Sequence, residues 1–112
     1  MSTDIIKEVP LEAFLAVSAT LFAIGVYGVL ARRNAVMILM AVELMLNAVN
    51  INLVAFATYL TPKPGFENYG IVFAVFIITV AAAEVALALA IVLRLFRAHG
   101  SPNIDQVNLM KW

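Results

Sequence analysis

The chain has no cysteine. Disulfides, thiolate zinc sites and cysteine-held iron–sulfur clusters are excluded together by that one absence. There is a single histidine, His99, close to the C-terminal end, where a solvated side chain is the expectation rather than a metal ligand. On that inventory no cofactor and no metal is expected within this chain. Charge is scarce as well: 12% of the 112 residues are charged, and seven basic residues balance seven acidic ones. With no net positive charge and no long basic run, nothing points to nucleic acid as a partner. Residues 1–10 mix Asp4, Lys7 and Glu8 with apolar residues. They lack the basic n-region and cleavage pattern of a secretory leader, so none is expected.

What the chain does have is apolar surface in excess. Hydrophobic residues make up 64% of it, with a mean hydropathy of +1.02. Soluble domains average about 45–50% apolar and about 25% charged residues. A chain this short has too little interior to hide the surplus from water. The excess must face lipid or other proteins, which makes this an integral membrane protein.

Three long runs carry the excess. The first, residues 13–31, has the length of about 20 residues that spans a hydrocarbon core of about 30 Å. It ends at Arg32-Arg33-Asn34, a link so short that the next helix must return antiparallel beside the first. The second run, residues 35–60, corresponds to about 39 Å of helix and must tilt or project from the core. Thr61-Pro62-Lys63-Pro64-Gly65 stops it. The third begins near Gly70 and continues amphipathically through Arg94 and Phe96 before the composition turns polar beyond Arg97. The expected architecture is all-α: one membrane domain over residues 1–112, a bundle of three transmembrane helices at about 11–31, 35–60 and 70–97, and a polar tail at 98–112. The Arg-Arg link and the segment after the third helix share one side and hold Arg32, Arg33, Arg94, Arg97 and Lys111, against Lys7 and Lys63 opposite. The excess of positive charge on the inner side predicts the N-terminus outside and the C-terminus inside.

Two carboxylates interrupt the apolar runs. Glu43 sits in Met40-Ala41-Val42-Glu43-Leu44-Met45-Leu46 and Glu84 in Ala81-Ala82-Ala83-Glu84-Val85-Ala86-Leu87, neither with a basic residue within a turn or two. A charge near the bilayer centre costs about 2.5–3.5 kcal/mol even on insertion scales, so both side chains are expected to face protein or water. Glu43 lies ten residues after Arg33 and Glu84 ten residues before Arg94. Each is then about 15 Å from the inner side, a matched depth that suits a lateral proton relay.

Asn47 and Asn50 follow Glu43 at i+4 and i+7 on the same helical face, whereas Asn52 points elsewhere. Amides there either hold ordered water or bond a neighbouring helix. Gly25 and Gly28 on the first helix, with Ala81, Ala82, Ala83, Ala86, Ala88 and Ala90 on the third, read as helix-packing positions. Gly25-x-x-Gly28 is no phosphate loop, because the strand and turn context is missing. Arg32 and Arg33 read first as topology determinants, with a role at the inner end of a proton path as the alternative. Three helices expose more surface than they bury against each other, so other subunits are expected to cover them in a hetero-oligomer within the lipid bilayer.

Tyr27-Gly28-Val29-Leu30 with Arg32-Arg33-Asn34-Ala35, then Val42-Glu43-Leu44-Met45-Leu46-Asn47-Ala48-Val49-Asn50, resembles subunit K of complex I, whose mitochondrial counterpart is the small hydrophobic subunit 4L. So do Ala81-Ala82-Ala83-Glu84-Val85-Ala86 and the following Leu89-Ala90-Ile91-Val92. The resemblance covers roughly residues 21–97, and Asn108-Leu109-Met110-Lys111-Trp112 is similar to the Asn-Leu-Leu-Lys-Trp ending of some bacterial and cyanobacterial members. The longer N-terminus and a somewhat extended segment at 61–69 depart from the family pattern outside these motifs.

The resemblance implies a non-redox membrane-arm subunit of proton-pumping NADH:quinone oxidoreductase, a translocase, with no catalysis by the isolated chain. It implies that Glu43 and Glu84 belong to a hydrophilic axis carrying protons, and that Arg32 and Arg33 support activity from the cytoplasmic loop. Flavin, iron–sulfur clusters and quinone are then expected on other subunits, and neighbours of the A, J and N types as partners. A bacterial cell (inner) membrane is the expected location, with a thylakoid membrane as the alternative. The rival reading is the C-type component of a multi-subunit cation/proton antiporter, also a three-helix chain of similar length. A small multidrug exporter fits less well, since it needs four spans with the acid on the first. A purely structural scaffold would tolerate glutamine at both glutamates.

Overall fold

Three consecutive polar residues are enough to turn the chain back on itself. In the computed structural model, which describes residues 9–59, 69–100 and 102–106, helix α1 runs over Leu11–Ala31, α2 over Ala35–Tyr59 and α3 over Tyr69–His99. A single turn of 3-10 helix follows at Ile104–Gln106. All three α-helices are long and apolar enough to cross a membrane, and the described residues contain no β-strand. Lys7, Leu60, Lys63 and Lys111, the Pro-rich stop at 61–65, the extended segment at 61–68, Ser101 and the Asn108-to-Trp112 motif lie outside the described residues.

The helix ends follow local chemistry. Pro10 precedes α1 in extended conformation and Glu12 occupies its first turn, where an acidic group meets the positive end of the helix dipole. Asn34 starts α2: its Oδ1 accepts the Val36 N–H at 2.9 Å and its carbonyl accepts the Ile38 N–H at 3.0 Å. That is an N-cap, which the amide supplies because the first N–H groups of a helix have no partner within it. Gly100 closes α3 with φ +68, and its N–H reaches the Phe96 carbonyl at 2.7 Å. Only glycine takes this left-handed turn cheaply, so α3 runs two residues past Arg97 and stops at His99.

Helix α2 is the centre of the bundle, packed against α1 on one side and α3 on the other, while α1 and α3 scarcely touch. Most buried positions are small and recur at sevens: Ser18 and Gly25 on α1; Ala41, Ala48 and Ala55 on α2; Ala74 and Ala81 on α3, where Val92 is also buried, off that interval. A seven-residue repeat keeps one face on its partner as helices wind left-handed around each other, and small side chains let the backbones approach. On α3 the contact face is narrower than the run of alanines suggests. Ala81 is buried and Ala88 half-buried, but Ala82, Ala83, Ala86 and Ala90 are exposed, since they rotate off the seam.

The threonine hydroxyls within the spans are satisfied locally. Thr20, Thr58 and Thr79 donate to carbonyls four residues back, as hydroxyls do where water is absent. Ser18, fully buried, donates to Asn52 Oδ1 and also lies 3.1 Å from the Leu15 carbonyl. This α1–α2 hydrogen bond contributes on the order of 0.6 kcal/mol, the average for such bonds in membranes. At the same end of the bundle the Tyr59 hydroxyl donates to the Val9 carbonyl at 2.7 Å, and its ring stands 6.0 Å from Phe14.

Only 11% of each span's apolar window is buried inside the chain. Val72, Phe76, Leu87 and Ile91 on α3 are each about 60% exposed or more, a surface that water would not tolerate.

Candidate functional site

The two glutamates are placed by the seam between α2 and α3. A Cβ built on Gly70 would stand 2.5 Å from the Ala57 Cβ and 2.6 Å from the Leu53 carbonyl oxygen, so these backbones meet as closely as they can. Glu43 is fourteen residues from Ala57 along α2, and Glu84 is fourteen residues from Gly70 along α3. The helices are antiparallel and rise equally, so both carboxylates stand about 21 Å from that contact and share one level. Glu84 is also the central residue of α3.

Their surroundings differ. Glu43 is half-buried and Glu84 is exposed on the surface of the chain. Among the described residues neither forms an ion pair or a side-chain hydrogen bond, and the two do not bond each other. A carboxylate inside a membrane-length helix, with no partner among the described residues, calls for water or a further polar group beside it. The exposed face around Glu84 is therefore a face that the bilayer alone would not satisfy.

Asn47 and Asn50 are brought together, though not with Glu43. They line a groove of about 820 Å³ that opens on α2 between α1 and α3, walled by Phe14, Val54, Ala74 and Ile78. The Asn50 Oδ1 is buried and has no hydrogen-bond partner among the described residues. An amide oxygen left so in an apolar wall is a position where a water or a partner's donor is worth about 1–3 kcal/mol. The groove begins one turn along α2 from Glu43, so water held there would stand next to the carboxylate's level.

Arg32 and Arg33 are exposed in the α1–α2 link, and the link is gripped by the chain's own tail. The Ala35 N–H donates to the Pro102 carbonyl at 3.0 Å and the Ile104 N–H to the Arg33 carbonyl at 3.2 Å, closing an antiparallel bridge between Asn34 and Asn103. The Arg33 guanidinium stands 3.6 Å from Asp105, with side chains 81% and 48% exposed, so the pair contributes little beyond register. All four arginines of the chain thus gather at one end of the bundle.

Two features escape sequence reasoning. Asn52 faces α1, where it receives Ser18; its position off the Glu43 face is the one available signal. The tail at 102–106 reads only as polar, and nothing local in it marks a bridge to Asn34.

Comparison with known proteins supplies the remaining constraint. The family model described as NADH-ubiquinone/plastoquinone oxidoreductase chain 4L matches residues 13–112. The NAD(P)H-quinone oxidoreductase subunit 4L of Leptolyngbya boryana is 53% identical over 102 residues, covering 91% of this chain and 98% of that one. The NADH-quinone oxidoreductase subunit K of Geobacillus sp. (strain WCH70) is 51% identical over 105 residues, 94% of this chain and 98% of that one. The subunit K of Desulfitobacterium hafniense is 47% identical over 107 residues, 94% and 97% of the two chains. Three membrane-length helices and a match over nearly the whole sequence agree: the chain belongs to the NADH-ubiquinone/plastoquinone oxidoreductase chain 4L family.

Proposed function

We propose that this chain is a membrane-arm subunit of a proton-translocating NADH:quinone oxidoreductase, and that Glu43 and Glu84 carry protons laterally through it. The observation that supports this best is the level shared by two carboxylates well inside their spans, each without an ion pair or side-chain hydrogen bond among the described residues. Redox chemistry belongs to other chains of the complex, where flavin, iron–sulfur clusters and quinone reside. This chain's part is to hold and move protons. A proton arriving on one Glu43 oxygen neutralises it; its release through water toward Glu84 restores the charge, and Glu84 passes it on toward neighbouring subunits. Asn47 and Asn50, facing the groove, orient the water such a transfer needs. Arg32 and Arg33 hold positive charge at the cytoplasmic end, with the N-terminus outside.

The exposed face around Glu84 supports neighbours that complete the path, of the A, J and N types. The host is a bacterial cell membrane or a thylakoid membrane; relatives occur in cyanobacteria and in other bacteria. Affinity purification of the tagged chain from gently solubilised membranes is expected to bring down flavin- and iron–sulfur-containing subunits with donor:quinone reductase activity. Recovery with antiporter subunits alone, free of flavin and iron–sulfur absorbance, would instead assign it to a cation/proton antiporter.

A further inference from the structure

The proton path leaves one feature unused. At the arginine end a cleft of about 640 Å³ lies between the last turns of α3 and the returning tail. Arg94, Arg97 and His99 line it together with apolar Ile91, Leu95 and Ile104. We propose that this cleft binds the phosphate headgroup of an anionic phospholipid, with an acyl chain lying along Ile91 and Leu95.

Depth, charge and shape support this occupant. With Glu84 near the midplane, Arg94 lies about 15 Å away along α3, and Arg97 and His99 about 20–22 Å away. The hydrocarbon core ends about 15 Å from the midplane and the headgroup layer occupies the next several ångströms. The cations therefore fall in the headgroup layer and the apolar lining reaches down toward the acyl chains. Neither Arg94, Arg97 nor His99 has an ion pair among the described residues, and Asp105, the one described acid at this end, is engaged by Arg33. Arg32 and Arg33 add to the positive potential across the adjoining link. The Phe96 carbonyl at the helix end is taken by the Gly100 N–H, which leaves one fewer acceptor facing an anion. Basic pockets among membrane helices on the cytoplasmic side are where acidic headgroups settle, because charge and apolar contact act at one place. This inference depends on the chain spanning the membrane and is independent of the proton role.

The test uses the intact complex. A photoreactive phosphatidylglycerol is expected to label residues 91–99 of this chain, and labelling should fall with excess phosphatidylglycerol but not with phosphatidylcholine or inorganic phosphate. Arg94→Gln with Arg97→Gln should weaken retention of the lipid about thirtyfold, and Arg94→Lys with Arg97→Lys should restore most of it. Absence of labelling at 91–99 would overturn the proposal. So would competition by inorganic phosphate alone, or loss of a neighbouring subunit from the glutamine variant with its lipid content unchanged, which would mark an acidic protein segment as the occupant.

Discussion

Glu43→Gln is expected to leave the complex assembled and to cut donor-driven proton pumping about tenfold or more. Glutamine has nearly the same shape and can still donate and accept hydrogen bonds, so packing around α2 should survive the change. It cannot take up and release a proton, and a positioned proton-transfer group is worth about 10²–10⁴-fold where it acts directly. Glu43 is half-buried and has no partner among the described residues, so the substitution breaks no bond that they make. The loss should therefore appear in coupling rather than in stability. Pumping by native membranes, with assembly followed on a native gel, separates the two. Unchanged pumping in an assembled complex would return Glu43 to a structural hydrogen bond and leave Glu84 as the remaining candidate.

Gly70→Val is expected to act in the opposite way, lowering assembly while leaving both carboxylates in the sequence. Even a Cβ at this position would stand 2.6 Å from the Leu53 carbonyl oxygen and 2.5 Å from the Ala57 Cβ. Neither is the end of a flexible side chain, so α2 and α3 must move apart. Overpacking a close contact costs about 1–3 kcal/mol. The same seam sets the level shared by Glu43 and Glu84, so whatever complex survives should also pump less per electron. A native gel with the variant chain should show a reduced band and a lower thermal midpoint. Wild-type abundance and midpoint would mean that α2 and α3 pack less closely at Gly70 than these distances require. Gly25 should tolerate alanine better: its nearest obstacle is the flexible Met45 side chain, although the Ala41 carbonyl at 2.9 Å still resists.

The spans are legible in the sequence because length and apolar composition report directly on the bilayer, and Arg32-Arg33-Asn34 marks the first turn without ambiguity. The two glutamates are legible for the same reason, as charges standing where charge is costly. Which residues meet across the seams is harder to read. Contacts depend on the rotation of each helix, and a run such as Ala81-Ala82-Ala83 offers small side chains on every face. The seven-residue spacing of Ala41, Ala48 and Ala55 carries the phase that the alanine-rich run on α3 obscures. Asn52 illustrates the same point: excluded from the Glu43 face, it must face something, and that is Ser18. The tail is least legible. Its grip on Asn34 and Ala35 uses backbone groups, which any sequence supplies.

The closest test of a single path through both carboxylates is a double-mutant cycle on protons pumped per electron, comparing Glu43→Gln, Glu84→Gln and the two combined in assembled complexes. Groups acting in series on one path lose their effect together, so the double variant should pump no worse than the weaker single variant. Losses that multiply, with each single variant retaining part of the pumping and the pair retaining only the product, would show two independent functions and contradict the shared relay.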